Sequence, residues 1–348
     1  MNNQTKELIA FEVIKTLILR FESFPSDATT NRNAPFHEAF LNAFKDKLEE
    51  KVSDIPFIIS LSSWLHGLNT TLGQKFFETV SHIISDGTKR EWTSKKEGNL
   101  QITKKQKDNI NDIITKLSTD EKKPNLEEEN SLIFIDDDNE LVNAINFSAD
   151  VFYEDEKSVT AIELKSVKPN SGEMRGEKQK ILEGKAALYR KYKPKKVNFF
   201  IAFPFDPTSN QSTSYNKERF LNSIINMNKF FCNDEVLLSN EYWQYISDEQ
   251  DTMQEILNII NSIATPDFMS NFNFLQNIEN RKLKLNKYVE ILNQWFMFTE
   301  IDIINNYDSI KERIKDDKKL LRVFNKPPFD CKGAYHSDRK DKLFVEFG

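Results

Sequence analysis

The chain has 348 residues with 54 acidic and 48 basic side chains, a formal charge of −6, so it is not a protein that attracts polyanions over its whole surface. Apolar residues make up 39%, enough for a full core in one large or two smaller domains, and no apolar run reaches the ~18–20 residues of a membrane span. Cys232 and Cys331 have no CxxC partner, the four histidines lack ligand spacing, and no GxxxxGK[ST] loop occurs, which argues against a disulfide scaffold, a zinc site and ATP use. Glu7 and Glu12 interrupt the first apolar helix, so no signal-peptide pattern opens the chain, and a reduced, cytoplasmic setting is expected.

Apolar spacing predicts a first helix from Lys6 to Phe21, ended by Pro25, and a second from Phe36 to Lys51. Pro56 to Leu68 is apolar, and Gly73 to Ser85 is a helix with a stripe of Phe76, Phe77, Val80, Ile83 and Ile84. Residues 88–130 read as a polar insertion with a weak helix near Lys105 to Leu117. Short apolar runs predict strands at Ser131 to Ile135, Leu141 to Phe147, Asp150 to Tyr153 and Val159 to Val167. The Asp136–Asp138 run lacks the spacing of a calcium loop. A helix from about Gly172 to Tyr192 follows, stopped by Pro194, and the apolar run Val197 to Phe205 predicts a buried central strand. Beyond Pro207 the pattern is helical: Asn216 to Phe231, Met253 to Ala264, Arg281 to Phe298 and Ile301 to Phe324. The basic tail from Lys332 to Lys342 reads as a loose end within reach of DNA, and Leu343 to Phe347 as an edge strand. These elements predict an α/β (α+β) chain: a central mixed sheet flanked by helices, with further helical N- and C-terminal regions. The expected division is a catalytic domain over residues 1–264 and a helical region over 265–348 for DNA recognition or dimerisation.

The chemistry concentrates between Asp150 and Lys196. Side chains alternate along a strand, so Glu163 and Lys165 share a face while Ile162 and Leu164 take the other. The polar Glu154–Lys157 segment is short enough for a hairpin loop, and folding it back sets Asp150 opposite Glu163 or within about two residues of it. Two carboxylates with an ammionium beside them suit phosphodiester cleavage. Mg²⁺ binds through one or two carboxylates and keeps positions for water and phosphate, and the cation at Lys165 can hold the attacking water or stabilise charge on the phosphorus. A Glu-x-Lys on a strand is by itself most often a solvated ion pair; Asp150 and the basic segment that follows lift the functional reading. Residues 165–196 carry eleven Lys or Arg against three acids, +8, whereas residues 118–163 carry −11. Such segregation suits a polyanion met locally, with Arg175, Lys178 and Lys185 on the outer side of the helix free for phosphate.

The run Asp150…Glu163-Leu164-Lys165, continued as S-V-K-P-N-S-G-E-M-R-G-E-K-Q-K-I-L, resembles the PD-(D/E)XK nuclease superfamily, and more narrowly the TdeIII-like type II restriction endonucleases. The block from Ser62 to Glu78 is similar to the helix preceding the catalytic ribbon there, and Glu235 to Trp243 gives a weaker echo. The likeness spans roughly Phe36 to Ile263. Ala149 stands where the superfamily has its proline. The resemblance implies a Mg²⁺-dependent, sequence-specific endonuclease (Mn²⁺ able to substitute) that leaves 5′-phosphate and 3′-hydroxyl ends on double-stranded DNA. Asp150, Glu163 and Lys165 would be catalytic, with Asp150, Glu163 and Leu164 holding the metal. Glu78 is either a surface helix carboxylate or, as the resemblance implies, a third acid reaching the metal. Lys168, Asn170 and Ser171 join Arg175, Lys178 and Lys185 as expected DNA contacts. A homodimer matching a palindromic site and a cognate methyltransferase are the expected partners, with no membrane. The alternatives are a less selective nuclease on the same core, separated by its cleavage pattern, and a non-catalytic DNA-binding protein, indifferent to Mg²⁺.

Overall fold

The computed structural model describes residues 1–21, 36, 39–40, 42–44, 47, 64–137, 140–165 and 173–344. The chain divides into two compact units, one of residues 31–33 and 72–253, the other of 1–30, 34–71 and 254–348. Residues 1–30 and 254–348, from the two ends of the chain, fall in the same compact unit. Helix α1 (Asn3–Phe21) buries Ile9, Val13, Ile14 and Leu17. Its Glu7 accepts from the Thr299 N–H at 2.6 Å and the Thr299 hydroxyl at 2.7 Å, and its Phe11 ring stacks 4.0 Å from Tyr335. No periodicity along a sequence shows a partner almost three hundred residues away.

The tail in this unit is not a loose end. Arg339 is buried and bonds Glu300 through Nε (2.5 Å) and Nη2 (2.8 Å), a fork that matches a carboxylate. The Tyr335 hydroxyl donates to Glu300 at 3.0 Å, and Arg339 Nη1 donates to the Val323 carbonyl at 2.8 Å. Leu343 ends the helix Asp338–Leu343 instead of opening an edge strand; residues 345–347 of that expected strand lie outside the described residues. So does most of the expected helix from Phe36 to Lys51.

The unit of residues 72–253 is built on a five-stranded sheet of order β1-β4-β5-β6-β7. Its strands are β1 (Thr88–Trp92), β4 (Phe147–Glu154), β5 (Ser158–Leu164), β6 (Lys196–Phe203) and β7 (Val236–Leu238); β2 (Gln101–Thr103) and β3 (Leu141–Asn143) form a separate pair. β4 and β5 are an antiparallel hairpin. Asp155 shapes its turn, taking the N–H groups of Lys157 (2.6 Å) and Ser158 (2.8 Å) on Oδ1. β6 and β7 add in parallel and β1 antiparallel, so the sheet is mixed as expected. Helix α2 (Phe77–Ser85) follows the π-helical turn Leu72–Phe76, and α3 (Lys104–Ser118), α4 (Leu126–Ile133) and α5 (Glu173–Tyr192) come next in the chain. The apolar stripes of α3 and α5 join Val159, Ala161, Phe199 and Ile201 of the sheet in one core.

Two expectations fail here. Residues 131–135 are not a strand: the Asn125 side chain accepts the Glu128 N–H at 2.9 Å and starts helix α4, which runs through Ile133. Residues 88–130 are more than a polar insertion. β1 is a sheet strand, and α3 opens with a capping box between Thr103 and Gln106 and buries Ile110, Ile113, Ile114 and Leu117. Its many lysines disguise an apolar stripe with helical spacing.

Candidate active site

The register of the hairpin sets the site. Val151 pairs with Ile162, and one step further along the same register Asp150 faces Glu163. Asp150 Oδ2 accepts the N–H of Leu164 at 2.9 Å, which ties the carboxylate to β5 beside Glu163. From the other side His82 of α2 contacts the Asp150 carbonyl at 2.7 Å; a carbonyl only accepts, so Nε2 carries the proton. Between β1 and β4 the register shifts: Arg90 pairs with Ala149 and Thr88 with Phe152, so Lys89 alone faces both Asp150 and Val151. This bulge explains how Ala149 and Phe152, an odd number of residues apart, enter the same core. It also brings Lys89 to Asp150. Lys89 Nζ lies 3.2 Å from Asp150 Oδ1 and 2.8 Å from Glu78 Oε2, so Glu78 reaches the site through a shared lysine.

Glu163 sits in a second cluster. Lys165 Nζ is 2.9 Å from Glu163 Oε1 and 3.0 Å from Glu177 Oε1 of α5. Lys180, one turn beyond Glu177, is 2.9 Å from Glu163 Oε1 and 2.6 Å from Glu177 Oε2. Burial opposes charge on Lys165, but Glu163 and Glu177 outweigh it and hold its amine above the ordinary lysine range. Burial likewise works against the Glu177 carboxylate, and Lys180 with Lys165 overcomes it, leaving Glu177 below the ordinary range. Lys165 is therefore an ammonium, suited to stabilising phosphate charge and not to accepting a proton.

The DNA contacts expected on α5 divide. Arg175 is exposed. Lys178 and Lys185 are not available to phosphate: both are buried, at 0% and 2% exposure. Lys178 Nζ lies 2.5 Å from Glu129 and 2.6 Å from Glu235, and Lys185 Nζ lies 3.9 Å from Glu235. Burial pushes the Lys185 amine down, against the pull of Glu235. Their spacing was a readable signal. Met174, Lys178, Ile181, Lys185 and Leu188 recur at four- and three-residue steps, which is the buried stripe itself. Lys168, Asn170 and Ser171 lie outside the described residues. Lys89, His82, Glu177 and Lys180 were not singled out from sequence. For Glu177 and Lys180 a signal existed, an acid and a base three apart on a helix face directly after the Glu-x-Lys strand; for Lys89 the bulge that places it left none.

The donors present suit a hard divalent cation. Asp150 and Glu163 are neighbouring carboxylates, and Glu163 Oε2 is buried without a hydrogen-bond partner, an oxygen whose desolvation a cation would offset. Leu164 has only its main-chain carbonyl to offer. Among the described residues no group of three or more acidic, histidine or cysteine side chains is gathered for a metal, so the set is two carboxylates with lysines around them.

Comparison with known proteins places this site in context. Residues 1–264 match the family model described as type II restriction endonuclease, HinfI. The chain is 39% identical to the type II restriction enzyme MjaII of Methanocaldococcus jannaschii over 360 aligned positions, covering 97% of this chain and 95% of that enzyme. No solved structure matches. Among the described residues no helix is long and apolar enough to cross a membrane. The TdeIII-like resemblance and this match agree at the level of type II restriction endonucleases. The chain belongs to the HinfI family of type II restriction endonucleases and is a site-specific deoxyribonuclease.

Proposed function

We propose that cleavage takes place at the end of the β4–β5 hairpin, with Asp150 and Glu163 holding Mg²⁺ and Lys165 beside them, in the manner of the PD-(D/E)XK superfamily to which the Asp…Glu-x-Lys motif points. The observation that carries this reading is the bond from the Leu164 N–H to Asp150, which ties the Asp150 carboxylate to β5 at the residue after Glu163. A bound Mg²⁺, or Mn²⁺ in its place, supplies Lewis acidity toward the phosphate and a more acidic water. Asp150 and Glu163 provide the hard oxygens, with the Leu164 carbonyl as a third. Lys165, held as an ammonium, stabilises the charge that gathers on the phosphorus during in-line attack, leaving 5′-phosphate and 3′-hydroxyl ends. Glu78 acts at one remove, by holding Lys89 against Asp150.

The substrate is double-stranded DNA, approached through Arg175 and the segment carrying Lys168, Asn170 and Ser171. A homodimer would present two such sites to a palindromic sequence, with a cognate methyltransferase protecting host DNA in the cytoplasm. The finer likeness to the TdeIII-like group rests on the same motif and its continuation into α5. Incubating the protein with phage DNA and Mg²⁺ and sequencing the ends tests the whole reading. A discrete ladder is expected from the parent, and no cleavage with retained DNA binding from Asp150→Asn or Lys165→Ala. Undiminished cutting by either variant would remove the mechanism.

A further inference from the structure

Glu163, Lys165, Glu177 and Lys180 close a ring of four ion pairs at 2.9, 3.0, 2.6 and 2.9 Å. Each lysine touches both acids. The ring has no formal charge, and its four side chains are between 10% and 20% exposed. Both lysines meet Glu163 on Oε1, while Oε2 of the same carboxylate is buried without a hydrogen-bond partner. A carboxylate gripped on one oxygen by two ammonium groups cannot rotate freely, so its second oxygen is aimed. Glu177 performs the matching task for the lysines, taking Lys165 on one oxygen and Lys180 on the other.

We propose that Glu177 and Lys180, one turn of α5, are positioning residues for cleavage: Lys180 fixes Glu163 with Oε2 as its open oxygen, and Glu177 fixes Lys165 beside it. The proposal rests on the reading of Asp150, Glu163 and Lys165 as the cleavage site. It makes a demand that a scaffold role does not. The ring is neutral, so removing one member leaves a net charge next to the cation position, and the sign depends on which member is lost. Lys180→Gln leaves the ring negative and favours a divalent cation; Glu177→Gln leaves it positive and disfavours one. The double variant is neutral again but has lost the geometry.

The test uses the full chain. Mn²⁺ binding to the protein without DNA is followed by calorimetry, and single-turnover cleavage of plasmid DNA is measured at saturating Mg²⁺. From charge alone, Mn²⁺ binding should tighten about 3- to 10-fold in Lys180→Gln, weaken about as much in Glu177→Gln, and return to within about 2-fold of the parent in the double variant. The cleavage rate should fall roughly 10- to 100-fold in all three, as expected for misplaced reacting groups, with the half-saturating DNA concentration within about 3-fold of the parent. Lys180→Arg, which keeps the charge, should bind Mn²⁺ within about 2-fold of the parent. If Glu177→Gln melts before it can be assayed, Lys180→Gln and Lys180→Arg carry the test between them. Shifts of the same sign in the two Gln variants, or Mn²⁺ binding unmoved in folded Lys180→Gln, overturn the proposal. The outcome separates from failure of the site itself: cleavage surviving Glu163→Gln sinks the underlying reading, whereas a dead Glu163→Gln with unshifted Gln variants sinks only the ring.

Discussion

Helix α5 carries two networks of lysines and carboxylates on different sides, and they are built from the same residue types to different ends. On one side Glu177 and Lys180 meet Glu163 and Lys165 at the end of the hairpin, with partial exposure. On the other, Lys178 and Lys185 lie sealed beneath the helix with Glu129 of α4 and Glu235. Further along the same helix Glu183, also fully buried, takes Lys107 of α3 and the N–H of Ile145. The sealed network fastens α4, Glu235 and the β2–β3 region to the helix; the half-open one keeps its side chains within reach of solvent at the end of the hairpin. Charge on a helix therefore says little about function until exposure is known.

The contrast is sharpest for Lys178. Its removal leaves Glu129 and Glu235 in the interior with only the more distant Lys185, 3.9 Å from Glu235, as a cation, and breaking such a buried pair costs about 3–5 kcal/mol. Lys178→Ala should therefore lose much of the stability of its unit, read as a lower midpoint in urea, while the fraction that remains folded still cleaves DNA. Lys165→Ala should do the reverse. A Lys178→Ala protein that melts like the parent would mean the two sides of α5 do not differ in the way described.

The pH dependence of that loss sharpens the comparison. In the parent, burial raises the Glu235 carboxyl but Lys178 and Lys185 outweigh it, so it ionises below its ordinary value of 4.5. A carboxyl with a depressed folded pKa contributes stability that is present above the unfolded value and is lost as the pH falls through the folded one. Without Lys178 the balance reverses: burial and the facing acid favour the protonated forms, so acid should stabilise the variant's native state relative to its unfolded state. The gap in urea midpoint between parent and Lys178→Ala should narrow from pH 7 toward pH 4. A gap that widens over that range contradicts the assignment of a carboxylate pair held chiefly by Lys178.

The β4–β5 hairpin was legible in the sequence, because two apolar runs around a short polar turn leave little freedom in register. The strand β6, inside the sheet between β5 and β7, was legible from its almost wholly apolar run. Lys89 was not, since a bulge belongs to the pairing of two strands and neither strand displays it alone. Lys178 and Lys185 were misread because their charge was weighed ahead of their spacing: each sits four residues after one apolar core position and three before another. The strand expected at 131–135 failed because a short apolar run is ambiguous, and the cap at Asn125 settled it as helix. The two-unit division was hidden for a different reason, since Glu7 and Thr299 meet across nearly the whole chain.

The smallest effect expected, and the one that isolates the outer face of α5, belongs to Arg175. It is exposed on the same helix as the buried lysines, so its guanidinium is available to a phosphate where theirs are not. A phosphate contact adds affinity without reading bases and releases roughly one counterion. Arg175→Ala should weaken binding to specific and unrelated duplexes alike and lower the slope of log affinity against log salt by about 1. The cleavage rate at saturating DNA and metal should stay near that of the parent, because the loss is made in the ground state and the transition state equally. Lys185→Met, by contrast, should leave the salt slope unchanged, since a lysine sealed against Glu235 never meets the DNA. Equal slopes for Arg175→Ala and the parent would take the outer face of α5 out of the DNA path and leave the approach of the duplex to the segment before the helix.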